Sequence, residues 1–175
     1  MDPNRAQALF ESHHRAVYGF VLRSCSDPSL AEDLTQDVFV RALREQRIEP
    51  AVSSERPWLL RIARNLLIDR WRRAERRPQQ VRPIECDAVT APSGELRTEL
   101  GRAISALPAA EREAFLLREI GGLSYLEIAA ISGATPAAVR SSIYRARRRL
   151  KAVLTEVPAS EGSKLEPAKE EPDVV

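Results

Sequence analysis

A cluster of arginines between residues 136 and 150 is the part of the sequence best suited to binding an anion. Within PAAVRSSIYRARRRL, Val139, Ile143, Ala146 and Leu150 recur at helical spacing and share one side. The opposite side carries polar and basic side chains, namely Arg140, Ser141, Tyr144, Arg145 and Arg148. Arginine can pair with a guanine edge or neutralise phosphate, and hydroxyl groups can donate to phosphate. This face predicts a DNA contact; the alternative is an ordinary amphipathic helix with a solvated arginine face.

The residues before this helix predict a helix-turn-helix. Ser124 and Glu127 have the spacing of a capping box, which would start a short helix. Gly133 can adopt the positive φ of a sharp turn, and Thr135 and Pro136 suit the cap and first position of a second helix. In such a motif the second helix enters the major groove with its N-terminal residues on the bases.

A second cationic cluster lies in the helix predicted from Pro57 to about residue 77, PWLLRIARNLLIDRWRRAERR. Its apolar face contains Trp58, Leu59, Ile62, Ala63, Leu66 and Leu67. Arg61, Arg64, Asn65, Trp71 and Arg72 project elsewhere. Aromatic and basic groups together suit stacking on bases and following a phosphate chain. The alternative for Trp71 is a place in the core.

The elements that position these clusters are all helices. Asp2-Pro3 and Asp27-Pro28 each predict a helix start. Leu9, Phe10, His13, Val17, Phe20 and Val21 form the apolar face of the first helix, and the second extends to about Glu45. Residues 47–56 suggest a loop, 78–94 a flexible linker and 158–175 a disordered tail. We therefore expect an all-α fold of two small domains, 1–77 and 95–157.

Several classes of function find no support in the sequence. His13 and His14 are adjacent and have no cysteine or carboxylate cluster at metal spacing, so no catalytic or metal site is expected. Cys25 and Cys86 form no C-x-x-C pair and suggest reduced thiols in a cytoplasmic protein. No apolar run reaches the length of a membrane span, and no cofactor motif is present. Since the net charge is only +2, two local basic faces are expected instead of a uniformly cationic surface.

With both halves in view, the chain resembles the sigma-70 family of RNA polymerase subunits, of the extracytoplasmic-function type. Three segments carry the resemblance: AEDLTQDVFVRALRE, PWLLRIARNLLIDRWRR and the stretch from LPAAEREAFLLRE to Leu150. They are similar to the family's polymerase-binding helix, its −10 element helix and its −35-binding domain. Ser142 departs from the basic residue that many relatives carry there, which leaves the preferred −35 sequence open.

The resemblance implies partners and roles for particular residues. Core RNA polymerase would be bound at the β′ clamp helices through Asp33, Gln36, Asp37 and Val40, and also at the β flap. Asn65 and the loop 47–56 would handle an unpaired −10 base. Arg118, Arg140, Ser141, Tyr144 and Arg145 fall at −35 contact positions. An anti-sigma factor is a further expected partner.

Two other functions stay open at this point. A stand-alone helix-turn-helix regulator would bind duplex DNA as a dimer without polymerase. An adaptor that binds only protein would show no salt-dependent DNA binding. The −10-like helix favours a sigma factor, because neither alternative needs it.

Overall fold

The computed structural model describes residues 3–45, 54–75 and 94–156, and every regular element within them is an α-helix. The first half contains α1 (Pro3–Cys25), α2 (Pro28–Glu45) and α3 (Glu55–Glu75). The second half contains α4 (Gly94–Ser105), α5 (Ala109–Glu119), α6 (Tyr125–Ser132) and α7 (Pro136–Glu156). The predicted all-α fold is confirmed. The linker predicted at 78–94 lies outside the described residues except for Gly94, where α4 begins, and the tail predicted at 158–175 lies wholly outside them.

The first half is a three-helix bundle built on helical apolar stripes. Its centre holds Val17, Phe20 and Val21 from α1 together with residues of α2 and α3. All six apolar residues predicted to form the buried face of α3 are buried, and Leu60 joins them. Asp27 caps α2, because its Oδ1 accepts from the backbone N–H of Leu30 at 3.1 Å.

Two sequence predictions in this half are wrong in detail. Phe10 was expected in the buried face of α1 but is 43% exposed. It lies at the rim of the bundle, where its ring packs in a tilted orientation against His14 and Phe39 at centroid distances of 4.5 and 4.9 Å.

The third helix begins at Glu55, two residues before the predicted start at Pro57. The loop predicted at 47–56 therefore extends two residues too far. An acidic residue in the first turn complements the helix dipole, and the Glu55 carboxylate is also 3.4 Å from His13 Nε2. Pro57 is tolerated because a first-turn N–H has no intrahelical acceptor to lose.

The two halves pack against each other in one continuous core. A side chain added at Gly19 of α1 would meet Ile120 Cγ2 at 3.1 Å, and one added at Gly121 would meet Leu60 Cδ1 at 2.8 Å. Ser26 and Ser105 hydroxyls lie 3.3 Å apart, and the Arg64 guanidinium donates to Glu113 across the boundary. Small residues at 19 and 121 therefore allow α1 and α3 to approach the end of α5 closely.

This close approach makes Gly121 a sensitive position. In Gly121→Ala the new methyl group would meet Leu117 O at 2.5 Å and Leu60 Cδ1 at 2.8 Å. We expect a loss of about 1–3 kcal/mol in the free energy of unfolding, the usual cost of overpacking. Gly101→Ala is the matched control, since its nearest foreign atom is Arg23 Nη1 at 3.8 Å in the interior of α4. It should gain about 0.5–1 kcal/mol. Urea denaturation measures both, and equal stability of the two variants would contradict the packing described.

Candidate nucleic-acid interface

The helix-turn-helix forms as the local sequence predicts. Ser124 Oγ accepts from Glu127 N at 3.3 Å, and the Glu127 carboxylate accepts from Ser124 N at 2.7 Å, so the capping box is complete. Gly133 ends α6 with φ of 71°, a conformation that strains a residue with a side chain. Thr135 Oγ1 then accepts from Ala138 N at 3.2 Å at the start of α7. These local bonds fix the angle at which α7 leaves the turn.

Helix α7 has the two faces that its spacing predicts. Val139, Ile143, Ala146 and Leu150 are all buried against the rest of the C-terminal half. The outer face presents five exposed side chains, which are Arg140, Ser141, Tyr144, Arg145 and Arg148. Tyr144 is 65% exposed, although tyrosine carries a large apolar ring. An exposed phenol among guanidinium groups suits a surface that contacts phosphates and base edges.

Tyr125 organises one flank of this face. The guanidinium carbon of Arg118 lies 5.1 Å from the centre of the Tyr125 ring, and that of Arg140 lies 5.8 Å away. Both distances are within the range of a cation–π interaction. Arg118 is also held by a 2.7 Å hydrogen bond from its Nη1 to Leu123 O. The ring therefore brings Arg118 of α5 beside Arg140 of α7.

Glu111 organises the other flank. Its carboxylate accepts from Arg145 Nε at 2.9 Å through one oxygen and from Arg149 Nε at 3.0 Å through the other. Tyr125, Glu111 and Arg149 are not among the site residues predicted from the sequence. An acid in the first turn of α5 has an ordinary explanation in the helix dipole, so its sequence position alone does not reveal its partners.

The predicted residues of α3 are less uniformly available than those of α7. Asn65, Trp71 and Arg72 are exposed, with Trp71 at 41%, so Trp71 is not a core residue. Arg61 is half-buried. Arg64 is also half-buried, and its Nε donates to Glu113 Oε1 at 2.5 Å. The structure thus places one predicted DNA-contacting arginine in an ion pair with the other half of the chain.

The predicted polymerase surface is exposed and lies on one side of α2. Asp33, Gln36, Asp37 and Val40 are all exposed, while Leu34, Thr35, Val38 and Phe39 between them are buried. Val40 is 43% exposed and lies about one turn beyond Asp37, at the C-terminal end of this group. Exposed acids can steer a basic partner surface to this side of α2, and Val40 adds an apolar contact there.

Other kinds of site are not seen in the described ranges. No group of three or more histidine, cysteine or acidic side chains within residues 3–45, 54–75 and 94–156 could hold a metal ion. In the same ranges no helix is long and apolar enough to cross a membrane. Cys25 is a free thiol, and its partial burial raises its pKa, which disfavours the thiolate at neutral pH.

Comparison with known proteins identifies the family. The model of sigma-70 region 2 matches residues 9–77, and that of sigma-70 region 4 matches residues 97–150. The sigma factor SigC of Mycobacterium tuberculosis is 34% identical over 149 residues, which are 82% of this chain and 80% of that protein. SigM of Bacillus subtilis is 32% identical over 83% of this chain and 92% of that protein. SigE of Mycolicibacterium smegmatis is 37% identical over 82% of this chain, but the match spans only 59% of SigE.

Two solved structures have the same fold. The sigma factor RpoE of Bartonella quintana, in complex with the anti-sigma factor NepR, superposes with a TM-score of 0.70 and 27% identity over 89% of this chain and 97% of that chain. CnrH, in complex with the cytosolic domain of CnrY, superposes with a TM-score of 0.67 and 27% identity over 90% of this chain and 92% of that chain. The two helical halves are thus those of a promoter-recognition subunit, and the chain belongs to the sigma-70 family. Within it, this is an alternative sigma factor of the extracytoplasmic-function type, which directs transcription by RNA polymerase. The comparisons do not support a stand-alone regulator.

The contact of Tyr125 with two arginines generates a test. Tyr125→Leu removes the ring that holds Arg118 and Arg140, whereas Tyr125→Phe keeps it. An exposed cation–π pair contributes about 0.5–1 kcal/mol, so the leucine variant should bind promoter DNA about threefold more weakly when assembled with core polymerase. The phenylalanine variant is the control and should bind like the wild type. Equal losses in both variants would show that the hydroxyl matters and the ring does not.

Proposed function

We propose that this sigma factor reads the −35 element with the outer face of α7 and Arg118, and the −10 element with the exposed residues of α3. The observation that carries the proposal is the orientation of α7. Its apolar stripe is buried, so Arg140, Ser141, Tyr144, Arg145 and Arg148 all face solvent from the second helix of a helix-turn-helix. On this view residues 1–77 and 95–157 are the two functional domains.

The polymerase contact is assigned to α2. Asp33, Gln36, Asp37 and Val40 form the proposed contact with the β′ clamp helices, because an exposed apolar residue here follows two exposed acids along one side of α2. The C-terminal half would contact the β flap. The chain has its role in the cytoplasm, alongside the polymerase, and acts as an initiation factor without chemistry of its own.

An anti-sigma factor is a further proposed partner. The support is that RpoE, similar over 89% of this chain, is found in complex with the anti-sigma factor NepR, and CnrH with the cytosolic domain of CnrY. The packed halves of this chain would be a suitable target, because one partner could hold both halves at once.

The ion pair between Arg64 and Glu113 affects which residues of α3 are free to contact the −10 element. Arg64 would have to exchange the Glu113 carboxylate for a phosphate or base before it could contact DNA. Asn65, Trp71 and Arg72 are exposed in the packed arrangement and need no such exchange. The −10 role is therefore assigned first to these three residues.

The direct test is transcription in vitro with core RNA polymerase and a library of random promoters. We expect transcripts that depend on the added chain, and enriched templates that share two short elements at a constant spacing. Enrichment of a single element, or transcripts without enrichment, would contradict recognition by both halves. The enriched sequence then provides the promoter for the mutational tests.

The recognition helix makes a prediction about two arginines. Arg140 lies in the second turn of α7 and should contact a base, so Arg140→Ala should cost about 1–3 kcal/mol and relax specificity at one position. Arg148 lies two turns further along and should contact phosphate. Its loss should weaken all sequences alike and lower the salt dependence by roughly one unit of slope. Binding of the holoenzyme to single-base −35 variants at several salt concentrations distinguishes them. Equal losses on every variant for both mutants would show that Arg140 reads no base.

The acidic surface of α2 makes a prediction about polymerase. Replacing Asp33 and Asp37 together by Lys reverses its charge and should weaken binding to core polymerase about tenfold, mainly by slowing association. The double variant Glu11→Lys with Glu45→Lys makes the same change in net charge at two exposed positions outside the four assigned residues, and it should bind normally. The measurement is association kinetics with immobilised core enzyme. Unchanged rates for the Asp33 and Asp37 variant would mean that the assigned surface is wrong.

A further inference from the structure

Glu111 is the one buried acidic residue in the part of the chain that the structure describes, and it contacts α7, the helix proposed to bind DNA. The burial of its carboxylate has to have a compensating interaction. Its side chain is only 8% exposed, although it lies in the first turn of α5. Burying a carboxylate costs free energy unless it is paired and hydrogen-bonded. Helix-dipole stabilisation works equally well with a solvated carboxylate, so it does not account for the burial. What accounts for it is the pair of arginines that the carboxylate accepts from.

The Glu111 carboxylate contacts Arg145 and Arg149 through the same atom of each guanidinium group. Each carboxylate oxygen takes one Nε–H group, from Arg145 at 2.9 Å and from Arg149 at 3.0 Å. The two arginines are four residues apart, so they stand one above the other on α7. A guanidinium has five N–H donors, and its Nε–H group is the one nearest the chain. Glu111 therefore binds the inner edge of both groups and leaves the Nη atoms at the outer edge.

The two arginines nevertheless remain open to solvent. Their side chains are 50% and 58% exposed, in contrast to the buried acid between them. Arg145 has a second support, because its Nη2 lies 3.3 Å from Ser142 Oγ. The Ser142 hydroxyl thus supports Arg145 from the same helix. Held in this way, each arginine loses less conformational freedom when it meets DNA.

We infer that Glu111 is a positioning residue for promoter recognition, which acts through Arg145 and Arg149 and does not touch DNA. The inference rests on the proposed function of α7 and adds Arg149 to its DNA-facing groups. A carboxylate near DNA should by itself weaken binding to every sequence, because it repels phosphate. Positioning has the opposite effect on selectivity, since arginines that are fixed in place discriminate between sequences better than mobile ones.

The variant Glu111→Gln distinguishes repulsion of phosphate from positioning of the arginines. It keeps the shape of the side chain and removes its charge and one of its two acceptor oxygens. We measure binding of the holoenzyme to the library-selected promoter and to the same promoter with a scrambled −35 element. The ratio of the two affinities should fall about tenfold, which is the loss expected of one good base contact. Binding to the scrambled promoter should stay equal or become tighter.

Glu119→Gln is the matched control. Glu119 is also on α5 and also pairs with an arginine of α7, Arg147, but its side chain is 40% exposed and Arg147 is not among the proposed DNA contacts. Removal of this charge should tighten binding to both promoters alike and leave their ratio unchanged. A second control places Glu111→Gln in the Arg145→Ala and Arg149→Ala background, where it should have no further effect on the ratio.

The possible outcomes are distinct. A lower melting temperature with an unchanged ratio would show a purely structural role and overturn the inference. If the Glu111 and Glu119 variants change the two affinities in the same way, the effect is one of background charge, and the inference is overturned. A fall in the ratio that persists in the background without the two arginines would overturn it as well. If the wild-type holoenzyme itself does not distinguish the two promoters, the proposed −35 role of α7 fails first, and the inference fails with it.

Discussion

The burial of the apolar stripe of α7 against α5 is the contact on which the rest of the interface depends. Four residues at helical spacing fix the rotation of α7 about its own axis, because a rotation of one residue would expose Ile143 and bury an arginine. With the rotation fixed, the identity of the outer face follows from sequence alone. The turn at Gly133 and the caps at Ser124 and Thr135 then fix the direction in which that face points.

Contacts from α5 and α6 prepare the outer face for binding. On one flank the Tyr125 ring brings Arg118 and Arg140 together, and on the other the Glu111 carboxylate holds Arg145 and Arg149. Arg147 of the same helix pairs with Glu119, and this hydrogen bond raises the pKa of its guanidinium, but Arg147 is not among the proposed DNA contacts. Free arginines lose considerable side-chain entropy on binding, so arginines that are already ordered reach DNA at a smaller cost.

The packing of the two halves links the two surfaces that are proposed to bind the promoter. Gly19 and Gly121 permit close contact, and the Arg64–Glu113 pair joins α3 to α5 at a partly buried site. The pair connects a residue proposed to bind the −10 element with a residue next to the −35 face. Contact of Arg64 with the −10 element would then require this ion pair to break, whereas the outer face of α7 needs no change. A regulator that stabilises the packed arrangement would limit the contacts of α3 with DNA more than those of α7.

The sequence by itself determined the helices, both faces of α7, the capping box and the family, because these features depend on spacing along a single helix or on local hydrogen bonds. It also identified the arginines and acids that face outwards, since they alternate regularly with buried residues. Only the tertiary structure decided the start of α3 at Glu55, the rim position of Phe10, and the partners of Arg64 and Glu111. In each of these cases the cause is a contact between residues far apart in the chain. Helical periodicity specifies which side of a helix is buried, but it does not specify which side chain of another helix will meet it there.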